Sequence, residues 1–146
     1  MREHGDYASG RSEQVLLFSA KGPWNDETMR SGVIELAKNI EQLSDGQPWG
    51  QISCLYAESL MPPSTYAVFK KQTLIRKQLG LSAIAILIKN SDVTLTIQSQ
   101  LRDVYQLAGV EYRFCDTFDD ACNWLETKNL PFSRCKVQDF FDKNAF

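Results

Sequence analysis

Four times in succession the chain passes from a short β-like apolar segment into a capped, amphipathic helix. Residues 14–20, 49–56, 82–88 and 110–114 are the strand-like segments, and each is followed by a helical pattern. Strands that alternate with helices dictate a mostly parallel sheet with helices packed on it. The polar segment before the first strand, His4-Gly5-Asp6-Tyr7, fits an edge strand that pairs with residues 14–20 through a turn at Gly10. The expected fold is therefore α/β: a single four- to five-stranded mixed, mostly parallel sheet with about four helices.

Each helix carries its own start signal. Asn25 is a strong N-cap, and Asp26 and Glu27 put negative charge in the first turn, where the helix dipole favours it. Trp24, just before that cap, can staple the helix start against Met29. Met29, Val33, Ile34, Leu36, Ala37, Ile40 and Leu43 form the expected inner face. In the second helix Ser64 or Thr65 supplies the cap, Ala67, Phe69, Leu74, Ile75 and Leu79 the core residues, and Gly80 the stop. Ser91 is expected to cap the third, which turns Val93, Ile97, Leu101, Val104, Tyr105 and Ala108 inward and ends at Gly109. Thr117 and Asp120 resemble a capping box for the fourth, with Phe118, Ala121, Trp124 and Leu125 inside. The continuous apolar run from Ala83 to Ile88 suits a strand covered on both faces.

Composition narrows the function classes. With 146 residues the chain has the size of one domain and can bury about 70% of its unfolded surface without a metal or disulfide staple. A net charge of −2 argues against nucleic acid as a partner, which calls for a basic stripe. Lys70, Lys71, Arg76 and Lys77 fit one solvated helix face. The amino terminus lacks the apolar stretch of a signal peptide. The longest apolar run is too short to span a bilayer. A cytoplasmic protein without membrane insertion is expected. Cys54, Cys115, Cys122 and Cys135 form no CxxC pair, and His4 is the one histidine. Reduced thiols follow, with no metal and no cofactor.

A parallel sheet presents its sites beyond the carboxyl ends of its strands. The loop after Ala20 has one glycine and no phosphate-binding motif, and Lys89-Asn90-Ser91-Asp92 offers a cap only. The loop between them holds the candidate partner or switch surface: Glu58, Ser59, Leu60, Met61, Ser64 and Thr65. A phosphate there would meet free N–H groups and the helix dipole, although ordinary capping accounts for the same residues. Leu60 and Met61 are expected to be exposed beside Pro62-Pro63, and methionine adapts well to partners. No nucleophile–base pair is visible. The Asp26-Glu27 and Asp119-Asp120 pairs sit in first helical turns, His4 lies in a terminal segment, and Trp24 and Trp49 fit core positions better than pocket walls. No catalytic residue is assigned, and no enzyme is expected.

Two pieces carry a resemblance: Gly22-Pro23-Trp24-Asn25 leading into a long helix, and the closing Asp120-Ala121-x-x-Trp124-Leu125. With the strand–helix order, they resemble the SpoIIAA-like branch of the STAS (anti-sigma-factor antagonist) superfamily over residues 3–128. The resemblance implies helices largely on one face of the sheet, no enzymatic activity and a protein partner. It also implies, for some members, a phosphorylated serine at the start of the second helix. Such members carry an Asp-Ser-Ser/Thr-Gly-like segment. This chain has Glu58-Ser59-Leu60-Met61-Pro62-Pro63-Ser64-Thr65, without the glycine and with two prolines, so the phosphoswitch is not carried over. The same topology is shared with lipid-carrier domains.

Residues 1–130 are thus expected to form the domain, and 131–146 a helical tail. In the tail Val137, Phe140 and Phe141 are spaced to share one helical turn, which either covers the domain's own core or docks on a second copy as a homodimer. The functional expectation is a non-catalytic regulatory or protein-interaction domain. The alternative is a small-molecule or lipid-binding protein with an apolar pocket between helices and sheet.

Overall fold

The structure, a computed structural model, describes residues 6–43 and 45–146; His4 lies outside them. Five strands form one sheet in the order β1 (Asp6–Ser12), β2 (Val15–Lys21), β3 (Trp49–Tyr56), β4 (Leu81–Lys89) and β5 (Glu111–Phe114). β1 is antiparallel to β2, and all other neighbours are parallel. The hairpin turn is at Glu13, which takes a positive φ of 48°, and not at Gly10. Gly10 sits within β1 opposite Leu17, where its missing side chain makes room for the Phe140 ring.

The crossovers α1 (Asp26–Leu43), α2 (Pro63–Gln78) and α3 (Thr94–Ala108) each return to the neighbouring strand. Right-handed crossovers that advance in one direction stack on one face. There they cover Leu16, Phe18, Ile84 and Ile86. The other face is covered by α4 (Phe118–Glu126) and α5 (Arg134–Lys143), which pack on Val15, Leu17, Ile52, Ala83 and Ala85. Burial on both sides explains why β4 reads as an unbroken apolar run.

Local signals decide most helix starts. Asn25 Oδ1 accepts from the Thr28 amide at 2.8 Å, and Thr117 accepts from the Asp120 amide at 3.1 Å, so both caps form as expected. Ser91 acts two residues early: it accepts from the Val93 amide, and α3 begins at Thr94 with Val93 at its cap. On α1 the inner stripe is Met29, Val33, Leu36, Ile40 and Leu43, a 4-3-4-3 spacing that matches 3.6 residues per turn. Ile34 and Ala37 fall off that stripe; Ile34 is 67% exposed.

The tail helix closes its own domain. Val137 and Phe141 are fully buried and Phe140 half-buried. Phe141 stacks on Phe118 with ring centroids 4.6 Å apart. Ser19 on β2 donates to the Asn144 carbonyl at 2.7 Å, and Phe146 meets Tyr56 edge-on.

Candidate functional site

β3 runs through the middle of the sheet, and its residues alternate between two cores. Ile52, Cys54 and Tyr56 face α4 and α5, whereas Gln51, Ser53 and Leu55 face the α1–α3 layer. Two polar side chains thus lie under the helices at the centre of the fold. The helix above them answers with polar residues of its own. α2 buries Thr65, Thr73 and Arg76, while Leu74, Ile75 and Leu79, expected in the core, are exposed. Arg76, expected on a solvated face, is only 7% exposed. The inner stripe of α2 is Thr65, Phe69, Thr73 and Arg76, again a 4-4-3 helical spacing.

Between this polar cluster and α1 lies a cavity of about 90 Å³. Its walls are apolar: Phe18 and Trp24 from the first strand–helix unit, Met29, Val33 and Leu36 from α1, and Leu101 and Tyr105 from α3. Phe18 and Trp24 stack with ring centroids 6.0 Å apart. Gly32 also lines it, and a Cβ there would meet no atom within 4 Å.

Among the described residues Arg76 is the one charged residue in the lining. Its Nη1 donates to Gln51 Oε1 at 2.8 Å, and its Nη2 to Thr73 Oγ1 at 3.1 Å. Gln51 passes the chain on by donating to Ser53 Oγ at 2.8 Å. The Arg76 Nε–H has no hydrogen-bond partner, and no carboxylate among the described residues pairs with the guanidinium. Burial alone pulls the Arg76 pKa down, with Tyr105 acting in the opposite direction. Tyr105 is pushed up to about 12, first by burial and with Arg76 opposing it. A guanidinium keeps its charge in proteins, so the site holds a buried, uncompensated cation.

The loop between β3 and α2 closes one end of the cavity, and its residues are distributed differently from expectation. Glu58 and Ser64 are exposed, Leu60 is half-buried, and Ser59 and Thr65 are buried. Met61, expected outside, is 8% exposed and lines the cavity. Gln100 fixes it there by accepting from its amide and donating to its carbonyl. Ser59 Oγ donates to the Tyr56 carbonyl at 2.9 Å. Neither Ser64 nor Thr65 caps α2; the cap position is Pro62, and no side chain caps it. Both hydroxyls instead donate to Asp26 Oδ1 on α1, at 2.9 and 2.7 Å. These bonds hold the Asp26 carboxyl below the usual carboxylate range, Thr65 contributing most.

Among the described residues no group of His, Cys, Asp and Glu side chains could hold a metal. All four thiols are free. Burial pushes Cys54, Cys115 and Cys122 up, toward the unreactive protonated form. No helix among the described residues is long and apolar enough to cross a membrane. No family model, curated protein or solved structure matches the chain, so its site is read from its own geometry.

Sequence reasoning passed over Arg76, Gln51 and Ser53. The signal was present in two places. Gln51 and Ser53 alternate with Ile52 and Cys54 on a strand whose position in the order makes it central, and Thr65, Phe69, Thr73 and Arg76 share a helical stripe.

Proposed function

We propose that this chain is a non-catalytic binding domain that takes a small ligand into the cavity beneath α1 and α2. One observation carries the reading. An apolar-walled cavity of about 90 Å³ ends on a buried, partly unpartnered guanidinium. A polar group placed in an apolar site usually fixes and orients a ligand. The volume falls below the ~300–1,000 Å³ range of drug-sized pockets, which points to a small molecule or the end of a longer one. The raised thiols and the engaged Ser59 hydroxyl favour binding over catalysis. Free cysteines accord with a cytoplasmic setting.

Gly32 provides the test. A Gly32→Leu side chain would enter the cavity, because a Cβ there has open space. Small apolar fragments are expected to raise the melting temperature of the native chain and shift the emission of Trp24, but to do neither in Gly32→Leu. Fragments that act equally on both proteins would place the site elsewhere.

A second reading, the protein-interaction domain that the STAS-like pattern implies, is favoured by the exposed side chains of Ile34, Leu95 and Leu107. A partner, or a second copy of the chain, would use helix surfaces such as these. Val137 and Phe141 are buried in their own domain and Phe140 is half-buried, so a homodimer through the tail would draw on Phe140.

A further inference from the structure

From the placement of Arg76, and resting on the cavity being a ligand site, we infer that the ligand is a small monoanion: a carboxylate on a short apolar body. The carboxylate pairs with the Arg76 guanidinium, and the Ser53 hydroxyl offers a second donor from the same lining. The body lies among Phe18, Trp24, Met29 and Leu36.

Three features support this choice. A buried charge is costly unless it is paired, and Arg76 has only neutral partners in Gln51, Thr73 and the Phe69 ring. Those partners take one N–H each from Nη1 and Nη2 and hold the guanidinium plane, so a charged group with N–H donors to spare lines the cavity without a counter-charge. The helix is also turned against its own hydrophobicity, since it buries Arg76 and Thr73 while Leu74 and Leu79 face solvent. That orientation sets Phe69 edge-on against Tyr105 and delivers one positive charge to an apolar-walled chamber.

The charge count sets the head group. No second cation among the described residues lines the cavity, so a dianionic phosphate would leave a charge uncompensated among apolar walls. A carboxylate balances Arg76 one to one and accepts the guanidinium's directional bonds. The apolar walls then exclude small inorganic anions, which would leave most of the cavity without contacts.

Hexanoate and hexan-1-ol are matched probes that differ in charge. Calorimetric titration of the full chain should show hexanoate binding more tightly than hexan-1-ol by about tenfold or more, the gain of a charge-assisted bond over a neutral one. In Arg76→Met the preference should vanish while hexan-1-ol still binds. Equal affinities in the native protein, or a preference that survives Arg76→Met, would overturn the anion inference and leave the cavity reading intact. If neither probe binds the native chain, both fall. The native-protein comparison decides the matter even if Arg76→Met does not fold.

Discussion

Arg76 Nη1 lies 2.8 Å from Gln51 Oε1, a bond that ties the last turns of α2 to the middle of the central strand beneath the helix layer. Paired with a neutral amide and no carboxylate, the guanidinium keeps most of its desolvation cost. Replacing buried ionic groups by apolar residues of similar volume is often stabilising, by about 1–4 kcal/mol where measured. The double variant Arg76→Met/Gln51→Leu is therefore expected to melt at a higher temperature than the native chain. Thermal unfolding followed by circular dichroism checks it. A lower melting temperature would assign Arg76 a structural role and remove the argument that the fold bears a cost for a binding group.

The two loops at the carboxyl ends of β2 and β3 touch through Gly22. Its amide donates to the Tyr56 carbonyl at 3.3 Å, and a Cβ at Gly22 would lie 2.6 Å from the Ser59 Cα. The clash is with backbone, which cannot swing away as a side chain could. Gly22→Ala should cost about 1–3 kcal/mol, the usual penalty of overpacking, and should disturb Met61 at the cavity. Urea unfolding gives the stability change. A neutral outcome would show that the two loops separate easily.

Asp26 links α1 to α2 by accepting from both Ser64 and Thr65. Because those bonds lower the Asp26 pKa from its ordinary 3.8, the sign of the pH effect is fixed. The contribution is intact above pH 3.8, where the unfolded chain is also ionised, and disappears as pH falls through the lower folded value. Unfolding between pH 5 and about 2 should thus show an acid-side loss that is smaller in Asp26→Asn. The same pair speaks to phosphorylation. Negative charge at Ser64 would face Asp26 and repel it. Ser64→Asp should lower the melting temperature, more at low salt, and Asp26→Asn should restore it. A stabilising Ser64→Asp would revive the switch that the sequence pattern of residues 58–65 argues against.

The sheet was legible because the alternation of strand and helix leaves few topologies. Caps at Asn25 and Thr117 are local and were read without knowledge of the rest. The site was obscure for a physical reason. α2 has weak apolar asymmetry, with Leu74, Ile75 and Leu79 on one side and Phe69 on another, so hydrophobicity alone points the helix the wrong way. Which face turns in is settled by tertiary partners: Gln51 from β3, itself bonded to Ser53, receives Arg76, and Asp26 from α1 receives Thr65. None of these pairings is local. The β3–α2 loop was found as a place, since strand ends locate it, but the inward turn of Met61 depends on Gln100, 39 residues further along.

The last residues test how the second face of the sheet is closed. Phe141 is 1% exposed, stacked on Phe118 and in edge contact with Phe140. Gly10 accommodates Phe140 from the edge strand, so α5 connects the beginning of the domain to its end. Truncating a buried phenylalanine removes its transfer energy and leaves a cavity, at about 3–5 kcal/mol. Phe141→Ala should lose stability on that scale, and exposed Lys136→Ala on the same helix almost none, within about 0.5 kcal/mol. Light scattering of both variants gives a second readout. If α5 serves its own sheet, neither substitution changes the mass of the folded species. A native dimer converted to a stable monomer by Phe141→Ala, with little loss of unfolding free energy, would mean that the stripe Val137, Phe140 and Phe141 docks on a second copy.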